Sequence, residues 1–139
     1  RTIKERVGRQ DLEPEFEDHE LDFLKSSSPF TGSELHPKIS SKFKRMTLVN
    51  NLFTERVTID TFPGFKNHEK EITLENLVII EIKQSKSNKP AIISQVLRDN
   101  KIRKMGFSKY CIGRSLLEEK IKKNNFKPLL LKIKKEYLN

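Results

Sequence analysis

Residues 54–62 read Thr54-Glu55-Arg56-Val57-Thr58-Ile59-Asp60-Thr61-Phe62, and the alternation within them decides the fold class. In an extended chain successive side chains point to opposite sides. Val57 and Ile59 therefore share one face, and Arg56, Thr58 and Asp60 share the other. A second run, Leu77 to Lys83 (LVIIEIK), alternates in the same sense, with Val78, Ile80 and Ile82 on one side and Leu77, Ile79, Glu81 and Lys83 on the other. The two runs are expected to pair as an antiparallel hairpin with a long loop, the first being broken by Pro63-Gly64. Lys38 to Val49 is a third strand candidate, closed by a turn at Asn50-Asn51. Thr2 to Val7 (TIKERV) is a fourth, with Ile3, Glu5 and Val7 opposed to Thr2, Lys4 and Arg6.

The rest of the chain reads as helix. Asp11 to Lys25 carries Phe16, Glu20, Phe23 and Leu24 near helical spacing, with an acidic first turn that suits the helix dipole, and the Ser26-Ser27-Ser28-Pro29 run ends it. Ala91 to Met105 is patterned by Ile93, Val96, Leu97 and Ile102, with Gly106 as a C-cap. Arg114 to Lys123 and Pro128 to Leu138 complete the set, Pro128 fitting a first turn. The expected class is α+β, an antiparallel sheet with flanking and C-terminal helices, in one domain spanning residues 1–139.

Composition narrows the partners. With 28 Lys+Arg against 19 Asp+Glu the net charge is +9, an excess that attracts polyanions. Nucleic acid, phospholipid, nucleotides and polyphosphate all fit that sign. Cys111 is the single cysteine, which excludes an internal disulfide and favours a reducing compartment; a cytoplasmic location is expected, with membrane association of a longer parent left open. Apolar runs such as Leu77 to Ile80 are far too short to span a bilayer, and no signal-peptide pattern opens the chain. The chain starts at Arg1 inside a strand-like stretch, so it is expected to be cut from something longer. His19, His36 and His68 lack metal-ligand spacing and read as surface histidines, and Cys111 after the strand-like SKY reads as a small core residue. No GxxxxGK[ST] motif is present, so a P-loop is not supported.

The chemistry lies in the strands. Each of the four places Lys or Arg at alternating positions. An ordinary half-buried strand does this too. If the sheet closes into a barrel, however, the charged faces line a tunnel whose like charges need an anion or a metal to neutralise them. Arg forks onto phosphate oxygens and Lys supplies point charge. Glu81 beside Lys83 is either an ion-pair partner or a ligand for Mg2+ or Mn2+, which takes few carboxylates plus phosphate oxygens. Asp60 is assigned an ion pair with Arg56 or a neighbouring lysine.

Four segments in this order, KFKRMTL, ERVTID, LENLVIIEIKQ and FSKYCIG, resemble the VTC polyphosphate polymerase domain, a member of the triphosphate tunnel metalloenzyme (CYTH-like) superfamily. The FSKYCIG and ERVTID segments are most similar to bacterial members. The resemblance implies an antiparallel β-barrel with a basic tunnel. It also implies transfer of the ATP γ-phosphoryl group onto a polyphosphate chain with Mn2+ or a similar metal. Residue by residue, it places Lys4 on a tunnel strand, with Arg6 on the same face. It gives Arg45, Arg56 and Lys109 phosphate-handling, catalytic roles, and it adds Lys83 and Ser108 to the phosphate contacts. Glu81 resembles the metal ligand. Phe43 stands where the family has tyrosine, so a hydroxyl contact there is lost. The family's front strands, with their paired arginines, do not precede Lys4, so the barrel is expected to be incomplete in this chain. Two other readings stand beside polymerisation: triphosphate hydrolysis in the same tunnel, and a non-catalytic module binding polyphosphate or RNA. Sequence-specific nucleic-acid binding is not expected with two Tyr and no Trp.

Overall fold

The computed structural model describes residues 5–8, 15–84 and 91–138. It comprises two compact units, residues 1–38 and 39–139.

Among its described residues the first unit holds the α-helix α1 (Asp18–Ser27) and a short 3-10 turn, Gly32–Glu34. The sequence pattern starts this helix at Asp11; residues 11–14 lie outside the described residues, and the observed start is fixed by Glu17, whose backbone N–H donates to Glu20 Oε2 at 2.9 Å. That bond satisfies one of the donors a helix start leaves over. The strand expected over Thr2–Val7 is not formed where it can be followed. Residues 5–8 have no regular structure, and residues 1–4, Lys4 among them, lie outside the described residues. A strand persists only with a partner to complete its hydrogen bonds, and no described strand pairs with residues 5–8.

The second unit is built on β1 (Ser40–Val49), β2 (Glu55–Lys66), β3 (Glu71–Thr73) and β4 (Val78–Gln84). All pairings are antiparallel and all run through β2, which has β1 on one side and both β4 and β3 on the other. The expected β2–β4 hairpin is present, and its long loop contains β3, which the sequence pattern did not reveal. The β1–β2 turn is tied by Asn50, whose Oδ1 accepts from the backbone of Thr54 at 2.9 Å and of Glu55 at 3.0 Å. The expected barrel is not seen: the described strands form an open sheet of four. Closure requires the outer strands to pair with each other, and here the far edges of β1 and β4 pair with no described strand.

Pro63-Gly64 does not end β2 as expected. The strand continues to Lys66, and the register shifts there instead: Lys44 pairs with Thr61 but Lys42 pairs with Gly64, so Phe62 and Pro63 together oppose Phe43. Phe62 has φ 53, the left-handed conformation that glycine takes as the first residue of a G1-type bulge. The extra residue inverts the alternation. Asp60 and Phe65, of opposite parity in sequence, both end on the face where their β1 partners Arg45 and Ser41 lie.

The core forms over the Phe65 end of that face. It comprises Phe65, Leu74, Ile112, Leu117, Leu130 and Ile133, contributed by the sheet, α3 (Lys109–Leu117) and α4 (Lys127–Tyr137). The helix between β4 and α3, α2 (Ile92–Asp99), is shorter than its pattern and is capped at Asn100, not Gly106: the Asn100 backbone N–H and its Nδ2 both donate to Val96 O. The segment SKY, read as strand-like, starts α3. Ser108 is its N-cap and accepts from the Cys111 backbone N–H at 3.3 Å, which moves the helix upstream of the expected Arg114–Lys123. Local capping by Ser favours this start.

A β-carbon on Gly113 would come within 2.5 Å of Phe65 Cδ1 and 2.9 Å of Ile39 Cδ1. Gly113 is thus what lets α3 lie against the sheet. Gly113→Ala should lower stability by about 1–2 kcal/mol despite the gain in helix propensity, because overpacking a well-filled core costs more. Urea unfolding checks this; unchanged or raised stability would contradict the close packing.

Candidate functional site

The cross-strand register fixes which side chains share a face. Arg45 is opposite Asp60 and Thr47 opposite Thr58; on the other side of β2, Arg56 is opposite Lys83 and Thr58 opposite Glu81. Arg45, Arg56, Asp60, Glu81 and Lys83 therefore project from one side of the sheet. Met46, Leu48, Val57, Ile59, Ile80 and Ile82 occupy the reverse side. The alternation read from residues 54–62 carries into three dimensions.

Asp60 is at the centre of the charged face and is only 1% exposed. Arg45 grips it with a two-pronged contact, Nε to Oδ1 at 2.6 Å and Nη2 to Oδ2 at 2.8 Å. Lys109 Nζ lies 2.7 Å from Oδ2. Lys109 reaches this point because it shares the sheet-facing stripe of α3 with Ile112 and Gly113, at i+3 and i+4. The ring of Phe43 packs against both cations, 4.8 Å from Arg45 Cζ and 4.9 Å from Lys109 Nζ. A desolvated carboxylate between two cations is well compensated. The hydrogen bonds from Arg45 hold the Asp60 carboxyl below its ordinary pKa, with Lys109 adding to that, against burial acting in the opposite direction.

The expected Asp60–Arg56 ion pair is not formed. Four residues along a strand is about 13 Å, so two such side chains cannot meet, whereas the partner across the ladder can. The lysine alternative is met by Lys109, which comes from α3, and the arginine partner is Arg45 from β1.

Glu81 and Lys83 form the second cluster, with Nζ to Oε1 at 2.9 Å. The Lys83 hydrogen bond holds the Glu81 carboxyl below its ordinary pKa. The charges of Lys83, Lys109 and Arg45 work in the same direction, opposed by burial. The field of the first cluster thus reaches the second. Between them sits Thr58, whose buried hydroxyl has no hydrogen-bond partner among the described residues.

Of the residues expected to handle phosphate, Arg45, Arg56, Lys83 and Lys109 are brought together with Glu81. The Ser108 hydroxyl is engaged in capping α3. Arg6 is exposed in the other unit, and Lys4 is outside the described residues. Four cations, Arg45, Arg56, Lys83 and Lys109, face two carboxylates, Asp60 and Glu81, so the face is positive. Sequence reasoning missed Asp60 as the organiser and Phe43 as the ring behind it. The usable signal was that Asp60 lies on the charged face and that strand residues pair across, not along, the chain.

No group of three or more His, Cys, Asp or Glu side chains that could hold a metal converges among the described residues. Both Asp60 oxygens are taken by cations. Glu81, ionised and half-exposed, fits a divalent cation that completes its shell with phosphate oxygens, provided Lys83 moves aside.

A family model described as the VTC domain matches residues 11–118. The chain belongs to the VTC domain family. The VTC match covers β1 to β4 and α1 to α3, and with them every residue of the charged face; α4 lies past it. VTC membership carries a polyphosphate-related function in general terms. No curated protein and no solved structure matches the chain. No helix among the described residues is long and apolar enough to cross a membrane.

Asp60→Asn keeps the shape and removes the charge that holds Arg45 and Lys109. It should cost about 3 kcal/mol at neutral pH, as for other broken buried pairs. Because the folded pKa of Asp60 is depressed, its contribution is present above about pH 4 and is lost as the pH falls through the folded value. The stability gap between wild type and variant should therefore narrow below about pH 4 in urea unfolding. A gap independent of pH would contradict an ionised Asp60.

Proposed function

We propose that the face shared by β1, β2 and β4 binds the phosphates of ATP and of a polyphosphate chain. In the full protein it would serve a polyphosphate polymerase-type phosphotransferase. The observation that carries this reading is the gathering of Arg45 and Lys109 on Asp60, with Arg56 and Lys83 on the same face, in a VTC-family chain.

The chemistry asks for positioning and charge neutralisation more than for a protein nucleophile. Arg45 has five N–H donors and spends two on Asp60; Lys109 has three and spends one. Both therefore keep donors for phosphate oxygens while their positions stay fixed. Arg56 and Lys83, exposed at the far end of the face, extend the positive track along a chain of phosphates. The terminal phosphate oxygen of the acceptor forms a bond to the γ-phosphorus, the bond from that phosphorus to the β,γ-bridging oxygen breaks, and ADP leaves. Glu81, with phosphate oxygens, would hold Mn2+ or Mg2+, which when bound neutralises phosphate charge.

The openness of the sheet favours one second reading: a polyanion-binding module that holds polyphosphate without turning it over. Product analysis with ATP and Mn2+ separates the two readings. Long chains plus ADP support polymerisation, free phosphate points to hydrolysis, and intact binding without turnover points to the module.

Arg56→Gln and Lys83→Gln should each weaken tripolyphosphate binding by about 5- to 10-fold in calorimetry, the worth of one charge-assisted contact. Glu81→Ala should abolish metal-dependent turnover and leave most polyphosphate binding. Full activity in that variant would remove Glu81 from the mechanism, and unchanged affinity in the first two would take the phosphate track off this face.

A further inference from the structure

The segment from Ala91 to Gly106 plays no part in the charged face, yet it combines two properties seldom exposed together. The first is apolar. On α2, Ile92, Ile93, Val96 and Leu97 fall on one arc, with Ser94, Gln95, Arg98 and Asp99 opposite, as helical periodicity dictates. Of the four aliphatics, Ile93 and Leu97 are partly covered. Ile92 is 80% exposed, and Val96 is exposed beside it. After the helix, Ile102 at 53% and Met105 are exposed as well.

The second property is charge. Arg98, Lys101, Arg103 and Lys104 stand against Asp99 alone in this stretch, four cations to one carboxylate. Asp99 accepts from Gln95 Nε2 at 2.7 Å, and none of the four cations forms an ion pair among the described residues. Lys101, with φ 59, turns the chain so that all four line one open hollow of about 490 Å3 with Ile102. A soluble polyanion would satisfy the cations and gain nothing from Ile92, Val96, Ile102 and Met105. An apolar protein partner would use those four and strand the cations. A bilayer surface rich in anionic lipid satisfies both: headgroups neutralise the basic hollow while the aliphatic side chains enter the boundary with the acyl chains.

We propose that α2 and the following residues to Met105 form an interfacial docking surface for an anionic lipid bilayer, lying on the membrane without crossing it. Arg98, Lys101, Arg103 and Lys104 contact lipid phosphates, and Ile92, Val96, Ile102 and Met105 insert beside them. This surface does not depend on the function proposed for the charged sheet face.

The chain contains no tryptophan, so Ile102→Trp provides a single reporter at the centre of the segment. Vesicles of phosphatidylglycerol and phosphatidylcholine should shift its emission to the blue, and pure phosphatidylcholine should not. The Lys101→Gln, Arg103→Gln, Lys104→Gln triple variant should lose on the order of 100-fold in vesicle partitioning, about 5-fold per charge. Ile92→Ser with Ile102→Ser should lose about 10-fold, because half-exposed aliphatics no longer bury. All substitutions are on exposed positions, and melting temperature verifies that the fold is kept. Unshifted emission with the anionic vesicles would overturn the proposal. So would a double serine variant that partitions like wild type while the triple variant loses soluble polyphosphate or RNA, since the surface would then be a polyanion groove.

Discussion

One carboxylate buried between two cations organises the molecule's charged half. Asp60 draws Arg45 from an edge strand and Lys109 from the first turn of α3 to the same point on β2. Without it, two positive groups would face each other over an apolar ring, and their repulsion in a partly desolvated setting would drive them into solvent. With it, Arg45 is held by two hydrogen bonds and Lys109 by one contact, and each retains further donors. A site for a highly charged chain needs this property: positive charge fixed in advance, so that little ordering is left to do when the ligand arrives.

The same strand that carries Asp60 also anchors the core, and the bulge at Phe62-Pro63 makes this compatible. By inverting the side-chain alternation it brings Phe65 onto the face of Asp60, so α3 can bury its C-terminal half against the core while its first residue completes the ion cluster. Packing and site are coupled through one short helix. Gly113, pressed against Phe65 and Ile39, sets how closely that helix approaches. A shift in α3 would therefore be felt at Lys109 before it was felt anywhere else on the face. Phe43 joins the two parts, opposing the bulge and backing both cations.

Much of this was legible in the amino-acid sequence, and what was hidden has identifiable physical causes. The alternation of Arg56, Val57, Thr58, Ile59 and Asp60 gave the strand, its pairing with residues 78–84 and its charged face, because period-two patterning is local. Two features were not local, and a third was local but carried by a cap and not by periodicity. The continuation of β2 past Pro63-Gly64 depends on a bulge that only the neighbouring strand defines. Of the two partners expected for Asp60, Arg56 lies four residues along the strand, where about 13 Å separates the side chains, whereas a lysine does pair with it; which lysine, and the arginine across the ladder, are set by tertiary structure. The start of α3 at Lys109 depended on Ser108 acting as a cap, and that capping placed Lys109 on the sheet-facing stripe. Closure of the sheet into a barrel came from family resemblance, and the described strands leave the sheet open.

Phosphate is expected to bind where Asp60 gathers its cations. The most direct measurement is a crystal structure of the protein soaked in tripolyphosphate with Mn2+, using the metal's anomalous signal to place it. Phosphate oxygens within hydrogen-bond distance of Arg45 and Lys109, extending toward Arg56 and Lys83 with Mn2+ at Glu81, are the predicted result. Tripolyphosphate bound on another surface, with the Asp60 cluster left untouched, would contradict it.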